Sequence, residues 1–98
     1  MGEIFSDCTT YNSTLSSGMK ELIIDTPTSA DTDDTIDVTL KDFGITTLKT
    51  IFGVKQSTDG SVVATEAPTT SVSSGVLTIT IGGSAVNNTR RIYTIRGI

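Results

Sequence analysis

Apolar and polar residues alternate with a period of two in two stretches of this chain. Over 35–40, Ile36, Val38 and Leu40 fall on one face and Asp37 and Thr39 on the other. Over 76–81, Leu77, Ile79 and Ile81 alternate with Thr78 and Thr80. A period of two places successive side chains on opposite faces of a strand, and here it predicts sheet with one buried and one wet face. A third strand is predicted over 20–26, centred on Leu22, Ile23 and Ile24 and ended by Pro27, which cannot donate to a ladder. A further strand over 89–96 has Ile92, Tyr93 and Ile95 as its apolar residues.

The intervening segments are less regular. In 45–54, Ile45, Leu48, Ile51 and Phe52 fit helical spacing, while Thr46, Thr47, Thr50 and Gly53 disfavour helix. The balance predicts a helical turn at 45–48 and a strand over 49–56. Asp59-Gly60 between two β-branched runs predicts a hairpin into a strand over 61–65, because both turn positions need positive φ. Pro68 and Ser73-Ser74-Gly75 bound a loop, and 82–88 reads as a connector. Residues 1–19 show no sustained period and are rich in turn formers; they read as a flexible N-terminal arm on a single β domain at 20–98. About six short strands with turn signals between them predict an all-β fold, a small antiparallel sandwich or barrel. Its expected core is Leu22, Ile24, Ile36, Val38, Leu40, Leu48, Phe52, Val63, Leu77, Ile79, Ile81, Ile92 and Ile95.

Composition supports that reading. Thr and Ser make up about 30% of the 98 residues, well above ordinary usage. Thr is stiff at χ1 and suits a half-exposed pleated surface. With a net charge of −4, the surface repels phosphate backbones and anionic lipid, so neither nucleic acid nor membrane is an expected partner. Cys8 is the single cysteine and cannot form an internal disulfide.

The missing residue types exclude most chemistry. There is no His to move a proton for a serine or cysteine nucleophile. One Cys cannot build a zinc site, and Gly82-Gly83 lacks the lysine and helix of a phosphate loop. The expectation is no enzyme and no cofactor. Asp31, Asp33 and Asp34 are the candidate cation ligands, since closely spaced carboxylates in a loop can supply several oxygens. They lack the glycine and glutamate of an EF-hand, and the simpler reading is a solvated turn. Arg90, Arg91 and Arg96 form a candidate patch for an acidic neighbour, with edge-strand solubility as the plainer role.

One longer stretch resembles a known group of proteins. It runs through 35–40, then Asp42-Phe43-Gly44-Ile45-Thr46-Thr47-Leu48-Lys49-Thr50-Ile51-Phe52-Gly53-Val54, then 61–83, then Arg91-Ile92-Tyr93-Thr94-Ile95-Arg96-Gly97. It resembles small β-rich structural proteins of tailed viruses, the head decoration or minor capsid proteins, over about two-thirds of the chain. The resemblance implies a subunit on the capsid surface of a virion that docks on the major capsid protein. It also implies a homo-oligomer with copies of itself, a trimer on the lattice being one form. Docking residues expected on that reading are Ile4, Phe5 and Tyr11 in the arm, with Arg90, Arg91 and Arg96. A tail, neck or fibre component, or a cellular carbohydrate- or protein-binding β module, remains the alternative.

Overall fold

The computed structural model describes residues 2–56, 63–82 and 89–98. Eight strands lie within them: β1 (Thr9–Thr14), β2 (Lys20–Asp25), β3 (Thr35–Thr39), β4 (Leu48–Gln56), β5 (Val63–Thr65), β6 (Thr69–Ser73), β7 (Val76–Thr80) and β8 (Arg91–Gly97). They form a five-stranded sheet in the order β1-β2-β8-β4-β5 and a three-stranded sheet in the order β3-β7-β6. All strand pairs are antiparallel. The architecture is all-β and sandwich-like, as the alternation predicts.

The core lies between the sheets. Leu22 and Ile24 of β2 and Ile95 of β8 meet Ile36 and Val38 of β3 and Leu77 and Ile79 of β7, all fully buried. Leu40, Ile45, Ile81, Ala30 and Tyr93 complete it. Leu48 is half-buried and packs against this cluster, but three other expected core residues lie elsewhere: Phe52 and Val63 are 54% and 56% exposed, and Ile92 is half-buried. Strand parity explains Ile92: Arg91, Tyr93, Ile95 and Gly97 face inward, so Ile92, an odd number of positions from Ile95, faces out. In β4 a register shift between Leu48 and Thr50 leaves Ile51 and Gly53 facing inward and turns Phe52 outward.

Two strands were hidden in the pattern. Residues 1–19, read as an arm, contain β1, which pairs along all of β2. Residues 69–73, read as loop, form β6, the outer partner of β7. Both lie at sheet edges with almost every residue exposed, so neither shows apolar alternation. β6 returns into β7 through Ser74 (φ 51°) and Gly75 (φ 78°), the paired positive φ of a two-residue hairpin loop. The turn at Asp59-Gly60 and the connector over 83–88 lie outside the described residues; β5 does pair antiparallel with β4.

The expected helical turn at 45–48 is instead a 3₁₀ turn at Leu40–Phe43, ended by Gly44 with φ 76°. Thr46 and Thr47 donate their N–H groups to the Ile98 carbonyl at 2.8 and 2.6 Å. Gly97 allows that crossing, since a Cβ there would stand 2.3 Å from the Thr47 carbonyl oxygen.

The N-terminal residues clip the two sheets together. Glu3 bridges Thr35 in parallel, with Ile4 N–H donating to Thr35 O at 2.8 Å and Thr35 N–H to Gly2 O at 2.9 Å. The Glu3 carboxylate accepts from the Asp37 and Phe5 N–H groups at 2.8 and 2.9 Å. The chain then passes to β1 at the edge of the other sheet.

Two substitutions test this packing. Ile79→Asp would bury an unpaired carboxylate between the sheets and abolish cooperative folding; a melting transition like the parent's would contradict the strand assignment. Gly53→Ala places a Cβ 2.7 Å from the Tyr93 ring and 2.8 Å from the Glu66 carbonyl. Denaturant titration is expected to show a loss of about 1–3 kcal/mol.

Candidate functional site

The outward face of the five-stranded sheet carries the most distinctive surface. Directly paired residues share a face, so the registers define its rows. Tyr11 pairs with Ile23, Ile23 with Thr94 and Thr94 with Phe52. The adjacent row runs from Thr9 through Asp25 and Ile92 to Val54 and Thr65. Tyr11 and Phe52 are 57% and 54% exposed, while Ile23, Ile92 and Val54 are half-buried between them. Beside Phe52 is a shallow depression of about 240 Å³ lined by Thr50, Thr94 and Arg96. β-branched and aromatic residues thus spread an apolar stripe across four strands of a face that the sandwich leaves in solvent.

The charges on this face are paired. Arg90 Nε donates to Asp25 Oδ1 at 2.6 Å, and its Nη2 bonds Oδ2 of the same carboxylate. That contact raises the Arg90 pKa. Arg96 Nε donates to Glu21 Oε2 at 2.8 Å. Both arginines stay partly exposed at the rims of the stripe. The face is therefore locally neutral on a chain of net charge −4.

Arg91 belongs to a different set. Expected on a docking patch, it is instead wholly buried. Its Nε donates to Glu66 Oε1 at 2.8 Å, and its Nη1 to the Ala30 and Thr89 carbonyls at 3.1 Å each. Its backbone N–H bonds Thr26 Oγ1 at 2.8 Å. Lys55 Nζ lies 3.7 Å from Glu66 Oε2, an oxygen without a hydrogen-bond partner among the described residues. The arrangement ties three connections to the middle strand of the large sheet. Tyr93 lies beside it, and burial, with Arg91 pulling the other way, pushes its hydroxyl pKa up to about 12.

The other expected site residues make contacts within the fold. Ile4 packs on the core, and the Phe5 ring meets Phe43 edge-on at 6.1 Å. Cys8 is half-buried, with its thiol directed at the Ile4 carbonyl at 3.3 Å. Burial, followed by the charges of Glu3, Asp7 and Asp25, pushes the Cys8 pKa up to about 11. In the acidic loop, Asp34 is buried and its carboxylate accepts from Gly2 N–H at 2.9 Å and Asp31 N–H at 3.0 Å. Asp33 takes φ 75° and donates its N–H to the Ile81 carbonyl at 2.9 Å. Asp34 thus fastens the loop to the N-terminal clip. Among the described residues, no group of three acidic or Cys side chains could hold a metal ion. Of the apolar residues on this face, Tyr11 is among the expected docking residues, whereas Phe52 and Ile92 are expected in the core; the odd spacing of Ile92 from Ile95 is the signal that places it outside.

Compared with known proteins, the chain matches no family model, no curated sequence and no solved structure.

Two expectations follow from the charges. Arg91→Met leaves the buried Glu66 with only Lys55, 3.7 Å away, and should cost about 3–5 kcal/mol. Arg96→Met at the rim should cost at most about 1 kcal/mol, and equal losses would contradict the burial contrast. For Asp34, burial raises the pKa but the hydrogen bonds lower it further, leaving it below 3.8. A lowered folded pKa contributes stability above the unfolded value that is lost as pH falls through the folded one. Acid titration of the melting temperature should therefore fall below pH 3.8, and less steeply in Asp34→Ala.

Proposed function

We propose that this chain is a virion structural subunit, a decoration protein that docks the outward face of its five-stranded sheet on the shell protein. The observation that carries the reading is the apolar stripe through Tyr11, Ile23, Phe52 and Ile92, with more than half of each aromatic ring residue exposed. Exposed aromatic side chains centred on a patch are the usual anchors of a protein interface. The rim charges are already paired, so the face selects a partner by shape and apolar contact more than by charge. The resemblance to small β-rich head proteins supplies the identity of that partner. On a lattice, many modest contacts of this kind act together.

Activity as an enzyme forms no part of this reading. A tail, neck or fibre subunit would use the same face, and copy number separates the two. Quantitative mass spectrometry of purified particles should find the chain in a ratio to the major capsid protein fixed by lattice symmetry. A few copies per particle would move it to the neck or tail, and absence from particles would refute a virion role. Phe52→Asp should still fold cooperatively, because more than half of Phe52 is exposed and it lies outside the core, and weaken co-sedimentation with shells about tenfold or more. Unchanged co-sedimentation would exclude this face.

A further inference from the structure

We infer that β6 is a pairing edge for a second copy of this chain, joining two three-stranded sheets antiparallel, β6 against β6, across a two-fold axis. The contact uses a different surface from the proposed docking face and stands or falls separately from it.

The two edges of the small sheet are treated differently. The β3 edge is covered by residues 2–4, through the Glu3–Thr35 bridge and the hydrogen bonds at Ile4 and Thr35. On the far side of β6 no strand pairs among the described residues, and all five of its residues are exposed. The usual protections of an open edge are charged residues, an internal proline, a bulge or a covering segment. β6 is Thr-Thr-Ser-Val-Ser, Pro68 lies before it, and its register with β7 is unbroken. No charged residue occurs anywhere over 67–82, so two copies of an acidic chain can approach here without local repulsion.

Hairpin geometry says which groups are offered. A two-residue loop places its closing pair, Ser73 and Val76, in the hydrogen-bonded position. Ser71 and Thr69 then also bond to β7, and Thr70 and Val72 direct their N–H and C=O groups to the open edge. Full overlap of two antiparallel copies sets Thr70 opposite Val72 of the partner, twice. Each pair exchanges two backbone hydrogen bonds, and Ser71 faces its own copy at the axis in a non-hydrogen-bonded pair. Because the edge offers the same groups in both directions, it is self-complementary, as a two-fold contact requires.

Side chains agree with this register. Thr69 would meet Ser73, a favourable hydroxyl pair. Val72, on the inward face but 51% exposed, borders an open cleft of about 660 Å³ lined by Leu40, Ile45 and Leu48. The partner's Thr70 and Val72 would continue that inward face beyond β6 and cover Val72.

A disulfide trap on the full chain tests the register. In a Cys8→Ser background, Ser71→Cys brings two thiols together at the axis, where Cα atoms of a non-hydrogen-bonded pair stand about 4.5 Å apart. Mild oxidation should give a covalent dimer of Ser71→Cys much faster than of Ser73→Cys, whose thiols lie at opposite ends of the paired strands, and urea should abolish the difference. Equal rates for the two variants, or no Ser71→Cys dimer in the folded chain, would overturn the proposal.

Discussion

Arg91, Tyr93, Ile95 and Gly97 alternate along β8 and all point into the sandwich, and the placement of most other elements follows from that parity. β8 is the middle strand of the large sheet, paired on both sides over nearly its whole length. Opposite Tyr93 only a glycine fits, and Gly53 is there, with the ring 2.7 Å and the Glu66 carbonyl 2.8 Å from where a Cβ would stand. Opposite Arg91 the interior must supply acceptors for a guanidinium, and Glu66, Ala30 and Thr89 do so. At the far end Gly97 leaves room for 45–47 to cross. An unpaired buried charge would be far more costly than any single apolar contact is favourable, so this strand admits one register.

The same parity produces the surface. With Arg91 and Tyr93 inside, Thr94 faces outward between Ile23 and Phe52 and Ile92 between Asp25 and Val54, and the solvent side of the large sheet becomes more apolar than the alternation rule expects. Core and candidate docking face are thus two sides of one constraint. A shift of β8 by one residue would bury Ile92 and put Arg91 into solvent, erasing the stripe.

How legible this was depended on burial. β3 and β7 are half-buried between core and water, and their alternation was plain. β2 was visible as an apolar run. β1 and β6 are edges with exposed residues on both faces, so no periodic signal marks them, although the Ser74-Gly75 turn was in view. β8 misled because its inward positions include an arginine and a tyrosine, residue types whose burial needs partners distant in sequence: Glu66 is 25 residues away and Ala30 is 61. Phe52 misled for a related reason, since a bulge earlier in β4 reverses its face. Of the expected docking residues, Tyr11, Arg90 and Arg96 stand on the outward face or its rim, Ile4 and Phe5 fasten the clip, and Arg91 is interior.

The outward face of the five-stranded sheet is proposed as the working surface of a virion subunit. Hydroxyl-radical footprinting of the chain free in solution and bound on purified particles tests it most directly, because Tyr11 and Phe52 are both reactive and both exposed. Strong protection of these two rings is expected on the particle, with Phe43, on the clip side, unchanged. Protection confined to other surfaces, with Tyr11 and Phe52 reacting as fast as in the free chain, would contradict it.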